Sequence, residues 1–145
     1  MKRFQDVGKE IEYSIEIDPE DIESYISLAN YYLNEQVAQY QTCHKRFKKI
    51  IPRLDINSDR KLAGRIYYSI GFCSYYINEF ADTEKYIKNS IEFSDSSDAH
   101  NILGIIFEKQ GRLKDALGEY NKSLELDPDN SYTQKNLERL NRKLE

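Results

Sequence analysis

This sequence of 145 residues predicts an all-α fold, a solenoid of helix-turn-helix repeats, on three observations. Residues 97–130, SDAHNILGIIFEKQGRLKDALGEYNKSLELDPDN, place His100, Leu103, Gly104, Phe107, Ala116, Tyr120 and Pro128 at the offsets of a two-helix repeat. A weaker copy lies 33 residues earlier, laying Ile70 and Gly71 on Leu103 and Gly104. The chain has only three prolines, Pro19, Pro52 and Pro128, and each sits at or near a predicted helix end.

In chain order, residues 1–19 read as a leading half-repeat, because SIEIDPED at 14–21 echoes SLELDPDN at 123–130, the end of a second helix. Residues 22–57 read as a degenerate repeat with an insertion. Tyr25, Leu28, Ala29 and Tyr32 match His100, Leu103, Gly104 and Phe107, and a second helix over roughly 36–51 carries Val37, Tyr40, Phe47 and Ile50 at helical spacing. Leu28 and Ile70 are 42 residues apart, against the usual repeat of about 34, so the register slips near Pro52 and the DINSD segment. The next helix is expected to start at Ser58 or Asp59, both residue types that cap helices.

Residues 58–96 form the next repeat, with Asn78 on Gly111, Thr83 on Ala116, Ile87 on Tyr120 and Ser90 on Ser123. It departs at Ser74, which stands where Phe107 stands, with Tyr75 beside it. Residues 97–130 are the best-matching repeat, in which small Gly104 and Ala116 let two helices approach while Phe107 and Tyr120 fill the space beside them. Residues 131–145 are a capping helix. Glu138 stands there where a further neighbour would require glycine, as suits a terminal polar face, and Ser131 with Gln134 reads as a capping-box start.

These landmarks resemble the tetratricopeptide repeat family over nearly the whole chain: about three units, an N-terminal half-repeat and a C-terminal capping helix. The resemblance implies that the first helix of each repeat lines a concave groove holding a peptide or helix of a partner protein. Carried over by repeat matching, the implied groove residues are Ile26, Asn30, Arg65, Tyr68, Phe72, Tyr76, Asn101 and Ile105. Tyr68, Phe72 and Tyr76 are four apart and share a helical face, so they are either apolar anchors in the groove or core packing. Asn30 and Asn101 are the implied hydrogen-bonding partners of a bound backbone. Some members of the family hold acidic chaperone tails in a two-carboxylate clamp. The corresponding positions here are Ile26, Asn30, Ser69, Asp98 and Ile102, of which only Asn30 agrees, and this argues against such a clamp.

Charge is unevenly distributed. Residues 1–35 hold three Lys/Arg against nine Asp/Glu, whereas Lys45, Arg46, Lys48, Lys49, Arg53, Arg60 and Lys61 form a basic patch at the register slip. Opposed blocks of this kind give an alternative role, a structural subunit that self-associates head to tail. A pI near 5.3 and the lack of an RNA-reading motif argue against nucleic acid.

Nothing in the sequence assembles a catalytic site. It has two histidines, no glycine-rich phosphate loop and no metal-ligand spacing, so neither an enzyme, a metal nor a cofactor is expected. Cys43 and Cys73, 30 residues apart and outside any paired motif, read as unbonded core residues of a reducing compartment. The apolar runs are too short to span a bilayer and the first residues lack the apolar core of a secretion signal, so cytoplasmic residence is expected. The function expected is that of a non-enzymatic adaptor or scaffold.

Overall fold

A computed structural model describes residues 2–19, 21–33, 39–53 and 59–145. Among them are eight α-helices and no strand: α1 (Lys2–Ile17), α2 (Ile22–Leu33), α3 (Tyr40–Ile50), α4 (Arg60–Tyr76), α5 (Phe80–Phe93), α6 (Ser97–Lys109), α7 (Leu113–Leu126) and α8 (Ser131–Leu144), with a short 3-10 turn at Ile51–Arg53. Val37 and most of the DINSD segment lie outside the described residues.

The tightest helix pairs are α4 with α5 and α6 with α7, and the two are built alike. The turn inside each pair needs a left-handed residue, supplied by Asn78 (φ 63°) in one and Gly111 (φ 76°) in the other. The same two hydrogen bonds close each turn. Asn78 N–H and Glu79 N–H donate to the Tyr75 and Ser74 carbonyls at 3.1 and 2.9 Å, and Gly111 and Arg112 donate to Glu108 and Phe107 at 3.1 and 2.8 Å. Across each pair a glycine admits the facing side chain. A Cβ on Gly71 would fall 2.7 Å from Ile87 Cδ1, and one on Gly104 would fall 2.5 Å from Tyr120 Cε1. Ser90 Oγ then donates to the Gly64 carbonyl at 2.8 Å, and 33 residues on Ser123 Oγ meets Ser97 Oγ at 2.9 Å.

Two apolar clusters result. Leu28, Ala29, Cys43, Phe47, Ile66, Ile70 and Cys73 form one between α2, α3 and α4. Ile87, Leu103, Phe107, Ala116, Tyr120 and Leu140 form the other, with α8 closing it through Leu140. Side chains cap the starts of α4, α6 and α8. Asp59 Oδ1 accepts from Leu62 N–H at 3.0 Å at the head of α4, as the sequence suggests.

At α8 the expected capping box does not form. Asn130 is the cap instead, its Oδ1 accepting from Thr133 N–H at 3.1 Å, while Gln134 reaches back to the Pro128 carbonyl at 2.7 Å. Asn130 serves better because its amide also donates to Ser97 and Asp98, tying the start of α8 to the start of α6.

The cysteines correct a second expectation. Cys43 and Cys73 are fully buried, as read, but they are bonded to each other. They belong to adjacent helices, and packing of α3 on α4 brings their Cα atoms to 6.2 Å. No spacing motif signals this, since the contact is tertiary.

His100 occupies its packing position as a charged bridge. Its Nδ1 lies 2.6 Å from Glu119 Oε2 and its Nε2 2.7 Å from Asp95 Oδ1, with only 4% of the residue exposed. An imidazolium donates to both carboxylates. The Glu119 hydrogen bond, followed by that of Asp95, raises its pKa above the ordinary 6.5 against the opposing effect of burial.

Both the histidine bridge and the disulfide are open to measurement. Because the folded pKa of His100 is raised, its stabilisation is full below about pH 6.5 and declines as pH rises through the folded value. Urea unfolding midpoints should therefore fall on going from pH 6 toward pH 9, and His100→Gln should flatten that slope; an unchanged slope would refute the bridge. Replacing Cys43 and Cys73 together by alanine should lower the unfolding free energy by roughly 3–4 kcal/mol, the loop-closure contribution for a separation of 30 residues. Urea titration of the oxidised chain and the double variant measures the difference, and a loss under about 1 kcal/mol would contradict that contribution.

Candidate protein-binding face

Helix α4 presents one long polar-to-aromatic face. From Arg65 to Tyr76 it rises about 16 Å, the length of roughly five residues of extended chain. Three regions succeed one another along it.

Near the N-terminal end lies a cavity of about 270 Å³, its wall mostly carbon with polar groups set into it, lined by Asn30 from α2, by Arg65, Tyr68 and Ser69, and by Ser94, Ser96 and Asp98 where α5 hands over to α6. Arg65 and Asn30 are exposed and line it, and both carry side-chain hydrogen-bond donors. Asp98 is engaged by Asn130 at 3.1 Å. Burial, with Asp98 nearby, pushes the Tyr68 phenol well above its ordinary value, so it is neutral throughout the physiological range.

The middle of the face is aromatic. Ring centroids of Tyr68 and Phe72 are 5.9 Å apart and those of Phe72 and Tyr76 4.9 Å. Tyr40 of α3 stacks on Tyr76 at 4.3 Å and touches Phe72 at 6.3 Å, and Tyr75 meets Tyr76 edge to face. Of the two sequence readings, groove and core, each residue takes a different share: Tyr68 and Phe72 are half-buried against the second apolar cluster, and Tyr76 is 49% exposed.

Beyond Tyr76 lies a second cavity, of about 320 Å³, between the end of α4, α6 and α8. Glu108, Lys109, Arg139 and Lys143 line it beside Tyr75 and Ile105. Glu108 is the hub. Arg139 donates to it at 2.8 and 3.3 Å, Lys143 at 2.7 Å and the Tyr120 hydroxyl at 3.0 Å. Arg139 chiefly, then Lys143 and Tyr120, hold its carboxyl down to about 2 despite burial.

The profile of the tetratricopeptide repeat family matches residues 97–130, the stretch that closes this second cavity. Residues 97–130 are a tetratricopeptide repeat.

Solved structures with the same fold as this chain include two of MamA. One is 17% identical with a TM-score of 0.80 over 97% of this chain and 78% of that one. The other is 16% identical with a TM-score of 0.74 over 96% and 79%. A tetratricopeptide-repeat protein of Thermus thermophilus aligns at a TM-score of 0.66 and 16% identity over 92% of this chain and 70% of its own. In sequence, a protein O-mannosyl-transferase of Caenorhabditis elegans is 32% identical over 77 residues, 52% of this chain. The chain spans only 11% of that curated relative.

Six of the eight expected groove residues lie on or beside this face: Asn30, Arg65, Tyr68, Phe72, Tyr76 and Ile105. The other two are largely taken up by packing. Ile26 is 8% exposed and packs in the first cluster, because α2 rests on α4 at that point, and it borders a small cavity with Asn30, Arg65 and Ser69. Asn101 is buried and its Oδ1 accepts from Asn136 of α8 at 2.8 Å, so the capping helix occupies the position where a bound backbone was expected.

The basic patch is partly spent inside the fold. Arg46 pairs with Glu12 at 2.9 Å, Lys48 with Asp82 at 2.7 Å, and Arg60 donates to the Glu92 carbonyl at 3.0 Å while lying over Phe93. Lys45, Lys49 and Lys61 are exposed. The side chain of Arg53 lies outside the described residues.

Tyr40, Arg139 and Lys143 are contributors that repeat matching missed. Arg139 and Lys143 are four apart on one face of α8, a spacing visible in the sequence.

Glu108→Gln tests the hub. Weakening charge-assisted hydrogen bonds to a buried carboxylate should cost about 1.5–3 kcal/mol and speed hydrogen exchange in α8 selectively. The contribution of Glu108 is present above its unfolded pKa of about 4.5 and declines as pH falls toward about 2. Exchange that rises equally in all helices would count against the hub.

Proposed function

We propose that this chain is a non-catalytic adaptor that holds a short protein segment along the face of α4. The observation that carries this reading is the succession along α4 of the first cavity, the aromatic stripe and, bordered by Tyr75 at the end of the helix, the second cavity. An extended segment of about five residues fits the rise of that helix. Asn30 and Arg65 supply donors to its carbonyl groups, and Tyr76 supplies an aromatic surface for an apolar side chain. The family's general use as an interaction scaffold supports the same reading, while the curated enzyme that matches in sequence shares only a small part of its length with this chain.

Self-association stands second. Its support in the sequence is the pair of opposed charge blocks, and the Arg46–Glu12 and Lys48–Asp82 pairs consume part of that charge within one chain. No helix among the described residues is long and apolar enough to cross a membrane. Cytoplasmic residence no longer draws support from the cysteines, since a buried bridge persists best in an oxidising environment.

Tyr76→Ala is the discriminating variant, because Tyr76 is the most exposed ring of the stripe; its removal gives up three ring contacts, with Tyr40, Phe72 and Tyr75, at about 0.5–1.5 kcal/mol each. In affinity capture from a source extract, proteins retained by the native chain should be lost from this variant while its helical circular dichroism stays unchanged. Identical captured sets for both baits would reject the face as the binding site.

A further inference from the structure

The second cavity holds more positive charge than its own carboxylate can balance. Three cations, Lys109, Arg139 and Lys143, surround one anion, Glu108, for a surplus of two charges. Glu108 has no capacity left for Lys109, because both its oxygens already accept from Arg139, Lys143 and Tyr120. Lys109 borders the cavity and is exposed, its ammonium 5.5 Å over the Phe80 ring of α5, a weak contact at an exposed site that a carboxylate can outcompete. Lys143 uses one of its three donors on Glu108.

Apolar surface stands next to this charge. Ile105 and the Tyr75 ring form one wall, and a volume of about 320 Å³ can take a side chain with a short hydrocarbon stem and a charged tip. The cavity also adjoins the aromatic stripe, since Tyr75 meets Tyr76 at 5.3 Å between ring centroids. A ligand anchored on Tyr76 therefore reaches it within one or two residues.

We propose that this cavity is a socket for an aspartate or glutamate side chain of the protein segment held along α4, so that the preferred segment carries an acidic residue directly beside its apolar anchor. The assignment rests on the proposed function and sharpens it. It differs from the two-carboxylate clamp of chaperone-tail binders, since its cations come from the end of α6 and from α8. Arg139 and Lys143 are held in place by Glu108, so a carboxylate entering the socket meets cations that are already ordered.

The test is selection of a phage-displayed library of random dodecapeptides on the full chain, followed by calorimetry on a selected peptide and its glutamine copy. The selected pool should be enriched in Asp or Glu next to apolar residues. The acidic peptide should bind roughly tenfold more tightly than its glutamine copy at about 50 mM salt, with the ratio shrinking at about 500 mM. Lys109→Ala, which halves the surplus of positive charge, should clearly reduce the ratio and Lys109→Arg should largely restore it. Peptides that need Tyr76 yet tolerate the glutamine change would overturn the socket and leave the α4 face standing. Selected peptides indifferent to Tyr76→Ala, or an empty selection, would overturn both.

Discussion

Everything in this solenoid depends on how closely two antiparallel helices can approach. In the pairs α4–α5 and α6–α7 the distance is set by a residue without a side chain, Gly71 or Gly104, which receives Ile87 or Tyr120 at a separation no Cβ could tolerate. The turn that returns the chain is fixed by one left-handed residue and two backbone hydrogen bonds. With approach and turn determined, the serines at 90 and 123 find the backbone or hydroxyl of the preceding helix, and the next helix is delivered onto the apolar face that remains. The face of α4 is a product of this geometry, because α4 packs with α2, α3 and α5 and still leaves Arg65 and Tyr76 exposed.

Electrostatics refine the packing without directing it. His100, at a packing position of its repeat, brings a buried charge held between Glu119 and Asp95. Glu108 plays the complementary role, a buried carboxylate that gathers Arg139, Lys143 and Tyr120 and so fixes α8 against α6. Either group left unpaired would be costly, which makes both sites sensitive to single substitutions.

Features that recur at the repeat period were readable from the residues. Asn78 falls on Gly111 in sequence and adopts the same left-handed turn in space, and Asp59 caps α4 where the register slip suggested a helix start. Contacts between helices from different units were not readable, because they depend on which neighbour arrives. Asn101 carries a groove-type residue at a groove position but is met by Asn136, and Ser131 has a capping sequence yet is displaced by Asn130, which has partners on α6 as well. The stripe on α4 was visible as a spacing of four. How its exposure divides among Tyr68, Phe72 and Tyr76 was set by Tyr40 and by the second apolar cluster.

The bond between Cys43 and Cys73 bears on how such a stack comes apart. A solenoid held only by neighbour contacts frays inward from its ends, each unit melting once the one outside it has gone. Here α1 and α2 can detach in that way, but α3 stays tethered to α4, and the first apolar cluster retains Phe47 and Ile70 on the two bonded helices. Fraying from the N-terminal side therefore meets a covalent stop at the edge of the α4 face, and Tyr40, one turn before Cys43, remains close to the aromatic rings on which it stacks.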